Sequence, residues 1–134
     1  MVTLGLVVAE FNAPITEQME ASAHEAADEH DVEIVETLHV PGAYDTPLAA
    51  DKLARREDID GVAVLGAVIT GDTDHDQVIT TATAQKLTDV SVNRDTPVAL
   101  GVTGPGMSAA EARERTDYGA RAVEGAIDLV EELQ

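Results

Sequence analysis

The stretch from Gly66 to Asp76, which reads G-A-V-I-T-G-D-T-D-H-D, holds the residue types best suited to chemistry. His75 can serve as an acid or a base, because histidine is the side-chain type that exchanges protons near neutral pH. The turn formed by Gly71, Asp72 and Thr73 offers backbone N–H groups and a hydroxyl to an anion at the start of the next helix. Each feature also has an ordinary interpretation, a solvated surface histidine and a plain turn. The Gly-Lys-Ser/Thr pattern of a P-loop is missing.

The same segment concentrates acidic residues, so a metal site has to be considered. Asp72, Asp74, His75 and Asp76 fall within one turn, and such a local set cannot surround an ion. We therefore expect no metal.

Aromatic residues are scarce, with one Phe, two Tyr and no Trp in the chain. Phe11 and Tyr44 each follow a strand-like segment, where a ring could stack on a flat heterocycle. Most lone aromatic side chains belong to a core instead. The sequence leaves both interpretations open.

Composition limits the class of protein. At 134 residues the chain is expected to form one domain, residues 1–134. Eight basic and 26 acidic side chains give a formal net charge of -18, which argues against binding to nucleic acid or an anionic membrane. Because the acidic residues are spread over helices without forming a tail, they indicate a surface adapted to high salt.

Cysteine is absent, which excludes disulfides and thiolate metal ligands. No stretch has the pattern of a signal peptide or the length of a membrane span. We expect a cytoplasmic protein.

Strand-like apolar segments alternate with helical patterns along the chain. The predicted strands are Thr3 to Ala9, Val32 to Val40 at a sheet edge, Val62 to Ile69 at the centre, and Val98 to Thr103. Ser108 with Glu111 forms a capping box that begins one last helix, ending near Leu133. This order predicts parallel strands with right-handed crossovers, hence a three-layer α/β/α sandwich with a four-stranded, flavodoxin-like sheet.

Ligands of such sheets bind beyond the carboxyl ends of the strands. The segments that leave those ends are residues 10–12, 41–45, 70–75 and 103–106. We therefore expect Phe11, Tyr44 and His75 to meet in one crevice.

Five segments in this order resemble a known family. They are AEFN (9–12), VPGAYDTPLA (40–49), LGAVITGDTDHD (65–76), PVALGVTGPGM (97–107) and ERTDYGARAVE (114–124). Together they cover almost the whole chain and resemble 6,7-dimethyl-8-ribityllumazine synthase, with G-P-G-M and D-Y-G stretches similar to the archaeal branch. An archaeal source also suits the acidity.

The resemblance implies a transferase of riboflavin biosynthesis. The family condenses 5-amino-6-ribitylaminouracil with 3,4-dihydroxy-2-butanone 4-phosphate in the penultimate step of the pathway, losing phosphate and water, without cofactor or metal. It assembles as homopentamers, sometimes as sixty-subunit capsids, with the active site shared between adjacent subunits.

The resemblance also assigns residues. Those at the pyrimidine and the ribityl chain are Phe11 and Asn12, Ala43, Tyr44 and Asp45, and the backbone of Val68 and Ile69. Asp72 and Thr73 are implied at the phosphate, although Asp72 and Asp74 add negative charge there. His75 is implied to move protons.

Two further assignments, those of Arg115 and Arg121, depend on how the last segments align. Arg115 is implied to hold the phosphate from the neighbouring subunit, and a different alignment puts Arg113 in its place. Arg121 stands where the family has a lysine, and Leu100 where many members place a phenylalanine against the ring.

The sequence leaves alternative functions open. Archaeal riboflavin synthase shares the V-P-G and sheet pattern but not the G-D-T-D-H-D segment. A non-catalytic shell protein and a flavin- or nucleotide-binding module are possible on the same fold.

Overall fold

The computed structural model describes residues 1–71 and 75–134 of the chain. Its four strands are β1 (Thr3–Ala9), β2 (Glu33–Val40), β3 (Gly61–Ala67) and β4 (Val98–Thr103). All neighbouring strands are parallel, in the order β2-β1-β3-β4. The predicted flavodoxin-like sheet is confirmed, with β2 at an edge.

The helices are α1 (Ala13–Glu29), α2 (Thr46–Ala54), α3 (His75–Arg94), α4 (Ala109–Arg113) and α5 (Tyr118–Leu133), and a 3₁₀ turn spans Ala43–Asp45. Alternate residues of β1 point to opposite sides of the sheet. Leu4, Leu6 and Val8 pack in a core cluster with α1 and α5, and Val7 packs in a second cluster with α2. The molecule therefore has the predicted three layers.

Strand β1 is buried along almost its whole length, whereas β2 is half-buried. This difference follows from the sequences, because T-L-G-L-V-V-A is nearly all apolar and E-I-V-E-T-L-H-V alternates with polar residues. Strand β3 ends at Ala67, two residues before the predicted end.

The prediction of one continuous last helix is wrong. Ser108 caps α4 as expected, since its hydroxyl accepts the Glu111 N–H at 3.2 Å, but α4 ends at Arg113 and α5 begins at Tyr118. The Ser22 hydroxyl of α1 donates to the Thr116 carbonyl at 2.8 Å and accepts the Ala120 N–H at 3.1 Å. These bonds satisfy backbone groups where the helix is broken.

The loop between β4 and α4 is held against the segment that follows β3. The Val68 N–H donates to the Thr103 carbonyl at 3.0 Å, and the Thr70 N–H donates to the Met107 carbonyl at 2.8 Å. Gly104, at φ +103, packs so closely on the Val68 carbonyl that a Cβ there would collide with it. This packing fixes one wall of the space beyond the strands.

Far from that space, Arg94 of α3 forms a forked ion pair with Asp51 of α2. Its Nε and Nη2 donate to the two carboxylate oxygens at 2.8 and 3.2 Å. These hydrogen bonds lower the pKa of the Asp51 carboxyl below its usual value. The pair joins two helices of one layer.

In the described parts of the chain, no helix combines the length and apolar character needed to cross a membrane.

Candidate active site

A cavity of about 440 Å³ lies at the carboxyl ends of β1 and β3. Its walls come from the β1–α1 corner, the 3₁₀ turn, the segment after β3 and the first turn of α3. The lining residues are Phe11, Asn12, Pro41, Gly42, Ala43, Tyr44, Asp45, Ala67, Val68, Ile69, Gly71, His75, Asp76 and Ile79. We call this cavity the pocket. Three of the four predicted loops therefore line it, while residues 103–106 support it from behind.

The β1–α1 corner places Phe11 at the pocket. Asn12 adopts a left-handed conformation, φ 66 and ψ 44, which asparagine tolerates better than most residues. Its side-chain Nδ2 donates to the Ala67 carbonyl at the end of β3 at 2.8 Å. The Phe11 N–H donates to the Pro41 carbonyl at 2.9 Å, so the corner is tied to two neighbouring strand ends.

The two aromatic side chains are not core residues. Phe11 is 70% exposed and Tyr44 is 67% exposed, although both line the pocket. The core interpretation of these rings is wrong, and their faces are accessible to a ligand.

The 3₁₀ turn is fixed by side-chain bonds on both sides. Asp45 Oδ2 accepts the Gly42 N–H at 3.0 Å, and Thr46 Oγ1 donates to the Ala43 carbonyl at 2.7 Å. Thr83 of α3 donates to the same carbonyl at 3.3 Å. Ala43, Tyr44 and Asp45 are therefore held in place before any ligand binds.

Val68 and Ile69 follow the end of β3 along the pocket wall. Because the Val68 N–H already bonds to Thr103, it is not available to a ligand. Within residues 1–71 and 75–134, no hydrogen-bond partner is found for the Ile69 N–H, which is the better placed of the two amides for ligand binding.

His75 begins α3, as predicted, and its exposed side chain lines the pocket. The next residue, Asp76, is buried and accepts the Gly106 N–H at 2.9 Å on Oδ2. Asp72 and Thr73, predicted at the phosphate, lie outside the described residues, as does Asp74.

Two lining residues escaped the sequence interpretation. The sequence patterns suggest only a metal-ligand role for Asp76 and no functional role for Ile79. The spacing of Ile79, four residues after His75, places both on one helix face and was the available signal. Among the described residues, no group of three or more His, Cys, Asp or Glu is arranged to hold a metal ion.

The charged side chains in the described lining of the pocket are acidic. Asp45 and Asp76 belong to its lining, and the described lining residues include no lysine or arginine. Apart from His75, the described lining offers a phosphate no side chain that can become cationic.

The remaining predicted residues are not at the pocket of the same chain. Leu100 and Arg121 line a groove of about 360 Å³ between β4 and α5, together with Pro97, Ala99, Tyr118, Ala122, Gly125, Ala126 and Leu129. We call it the β4–α5 groove. Leu100 is 53% exposed, and the Arg121 guanidinium carbon lies 5.5 Å from the centre of the Tyr118 ring.

Arg113 and Arg115 lie at the end of α4 and in the turn before α5, and both are exposed. Neither lines the pocket. A single copy of the chain therefore separates Leu100, Arg115 and Arg121 from Phe11 and His75.

Comparison with known proteins identifies the family of the chain. The family model described as 6,7-dimethyl-8-ribityllumazine synthase matches residues 1–134. The chain is similar to proteins of that name from the halophilic archaea Halobacterium salinarum, at 68% identity over 99% of this chain and 100% of the relative, and Halorubrum lacusprofundi, at 66% over 99% of each. A protein of the same name from Methanoculleus marisnigri is 50% identical over 99% of this chain and 98% of its own length. The chain belongs to the 6,7-dimethyl-8-ribityllumazine synthase family.

Proposed function

We propose that the chain condenses 5-amino-6-ribitylaminouracil with 3,4-dihydroxy-2-butanone 4-phosphate to give 6,7-dimethyl-8-ribityllumazine, releasing phosphate and water. This is the transferase reaction of its family, the penultimate step of riboflavin biosynthesis. The observation that carries the proposal is the convergence of Phe11, Asn12, the Ala43–Asp45 turn and His75 on one cavity. Family membership over the whole chain does not favour the riboflavin synthase, shell-protein or flavin-binding alternatives.

The pocket suits the pyrimidine substrate. The exposed face of Phe11 stacks on the flat ring, while the Ile69 backbone bonds to its edge and Asn12 holds the Phe11 corner. Tyr44 and Asp45, on the preformed turn, lie beside the ribityl chain. A carboxylate accepts hydrogen bonds from sugar hydroxyls, and a preformed site loses less entropy when it binds.

His75 serves as the proton shuttle. The amine nucleophile belongs to one substrate and the carbonyl to the other, so no Schiff-base lysine is needed. Lys52 and Lys86 do not line the pocket. The protein contributes alignment, worth up to several kcal/mol of the barrier, and proton transfer, worth roughly 10²–10⁴-fold.

The phosphate requires a cation that the described pocket lining lacks. Arg115, with Arg113 as the alternative, supplies this charge from a neighbouring subunit, and Leu100 and Arg121 arrive on the same face. Both Arg113 and Arg115 are exposed, and across the described residues neither has an ion-pair partner. We also propose Asp72 and Thr73, which lie outside the described residues, as phosphate-binding residues.

A ring of copies satisfies this requirement. Because the pocket and the β4–α5 groove are different surfaces, a contact between them is head to tail, and such contacts form a closed ring when the rotation between copies closes. The ring is the homopentamer of the family, and pentamers of this kind also build sixty-subunit capsids.

The direct test mixes the two substrates with the purified protein in high salt. We expect lumazine absorbance and inorganic phosphate to appear together, with no added cofactor or metal. Binding of a flavin without product would favour a binding module, and conversion of lumazine to riboflavin would favour riboflavin synthase. The mass of the particle in the same salt distinguishes a pentamer from a capsid.

A further inference from the structure

Asp76 is the one charged side chain buried in the described parts of the molecule. Burying a carboxylate is unfavourable unless hydrogen bonds compensate for lost water. One such bond comes from Gly106, whose N–H lies 2.9 Å from Asp76 Oδ2. This bond joins the first turn of α3 to the loop between β4 and α4.

The loop at Gly106 is attached to the pocket wall at two further points. The Val68 N–H bonds to the Thr103 carbonyl, and the Thr70 N–H bonds to the Met107 carbonyl. Of the three hydrogen bonds, only the one that Asp76 accepts from Gly106 reaches α3. The loop therefore connects the helix turn that carries His75 to the strand extension that carries Ile69.

We propose that Asp76 is a positioning residue that sets the distance between His75 and the backbone at Val68 and Ile69. The inference rests on the proposed function, in which these two walls hold the proton shuttle and the pyrimidine. Asp76 acts through its bond to Gly106, and direct contact with substrate is not required. Proton transfer is sensitive to such placement, because a shift of about 1 Å can slow a reaction about 10²-fold.

Substitutions of Asp76 separate the bond from the charge. Asp76→Ala removes both, and we expect kcat to fall about 10- to 100-fold while both KM values change less than about threefold. Asp76→Asn keeps an oxygen that accepts from the Gly106 N–H, so we expect kcat within about fivefold of the unsubstituted protein. Where the alanine variant does not fold, Asp76→Ser is used, because serine is too short to reach Gly106.

A double-substitution cycle with His75→Ala tests whether Asp76 works through the histidine. In the His75→Ala background, we expect Asp76→Ala to cost less than about threefold in kcat, because the shuttle it positions is already gone. A full additional loss in that background would overturn the proposal. So would an asparagine variant as slow as the alanine variant.

Asp60→Ala is the matched structural control. Asp60 Oδ2 accepts the Thr3 N–H at 2.9 Å, a similar carboxylate-to-backbone bond at the opposite end of the sheet. We expect this variant to lose stability with kcat unchanged, and an equal loss of kcat would mean that Asp76 is merely structural.

Amide hydrogen exchange tests the bond without any substrate. Asp76→Ala should speed exchange at the Gly106 amide, while the Thr70 amide should exchange more slowly than Gly106 in the same variant. Unchanged exchange at Gly106 would overturn the proposal. If the unsubstituted protein forms no product, the proposed function fails on its own. If the unsubstituted protein forms product normally but the effects of Asp76→Ala and His75→Ala on kcat are additive, only the positioning role of Asp76 is overturned.

Discussion

The pocket and the β4–α5 groove differ in the side chains they offer. The pocket has accessible aromatic faces, a histidine and two carboxylates, and its described lining has no lysine or arginine. The groove has Leu100, Tyr118 and Arg121, with Arg115 on the turn that leads into α5. One region is suited to the pyrimidine and to proton transfer, the other to an anion and an apolar contact. A phosphorylated substrate needs both kinds of surface, which a single copy keeps apart.

The distribution of positive charge sharpens this contrast. The chain has only eight basic residues against 26 acidic ones. Five of the eight, Arg55, Arg56, Lys86, Arg94 and Arg121, form ion pairs with nearby carboxylates. In the described residues, Lys52, Arg113 and Arg115 do not, and the two arginines are two positions apart. Among the described residues, this acidic protein therefore leaves two nearby arginines before α5 without an ion-pair partner.

The strongest test of the division combines two defective variants. His75→Ala damages the pocket and should slow turnover about 10²-fold, with a measurable remaining rate. Arg115→Ala damages the surface beside the β4–α5 groove. If each site joins the two regions of different subunits, subunits mixed after dissociation should form intact sites at about a quarter of the interfaces. We expect activity to rise well above that of either variant alone.

A mixture no more active than the average of its components would contradict a shared site. The control mixes His75→Ala with Phe11→Ala. Both lie in the pocket, so no intact pocket can form, and activity should not recover.

The choice between the two arginines gives the next largest effect. We expect Arg115→Ala to raise the KM for the phosphorylated substrate about 10- to 100-fold, since a charge-assisted bond to phosphate is worth about 1.5–3 kcal/mol. The KM for the pyrimidine should change little. Arg113→Ala is the matched variant, and steady-state kinetics with each substrate varied in turn distinguishes them. The reverse pattern would assign the phosphate to Arg113.

Loss of ring stacking at Phe11 should have a moderate effect on the KM for the pyrimidine substrate. Phe11→Ala should raise the KM for the pyrimidine about three- to tenfold, because an aromatic pair is worth about 0.5–1.5 kcal/mol. Leu48→Ala is the control, since Leu48 is as exposed as Tyr44 but does not line the pocket. Leu100→Phe should lower the same KM about two- to fivefold if the β4–α5 groove of a neighbour covers the ring. No change on Leu100→Phe would remove Leu100 from the site.

The smallest effect is expected away from both regions. Arg94 lowers the pKa of Asp51, so the folded-state pKa lies below the unfolded one. The stabilisation is therefore present above the unfolded pKa and is lost as pH falls through the folded-state value. Arg94→Ala should be less stable than the unsubstituted protein at neutral pH, and the two should converge in acid, below the folded-state pKa of Asp51.

Urea unfolding at both pH values measures this difference, with turnover at neutral pH as the second readout. Activity per folded molecule should be unchanged. A loss of turnover would show that the two regions depend on the α2–α3 layer more than the structure indicates.

The sheet was predictable because its signals are local. The apolar runs of β1 and β4 gave the observed bounds, and the alternation in β2 identified an edge strand. The break between α4 and α5 was not predictable, since it depends on Ser22, which is 94 residues from Thr116 in the sequence. A contact between residues so far apart leaves no local pattern in the sequence.

The site divides in the same way. Convergence of Phe11, Tyr44 and His75 followed from the rule that parallel strands end at one edge. The function of Asp76 in joining α3 to Gly106 did not, because its partner lies 30 residues away in a loop of glycine and proline. The separation of Leu100 from the pocket required the position of β4 at the far edge of the sheet.

The two tyrosines have an optical consequence. The chain has no tryptophan, Tyr44 lines the pocket and Tyr118 lines the β4–α5 groove. Intrinsic ultraviolet emission therefore originates at the two proposed halves of the site, with no tryptophan background from the core. Quenching by each substrate in Tyr44→Phe and Tyr118→Phe variants would report ligand arrival at each half separately, without an attached dye.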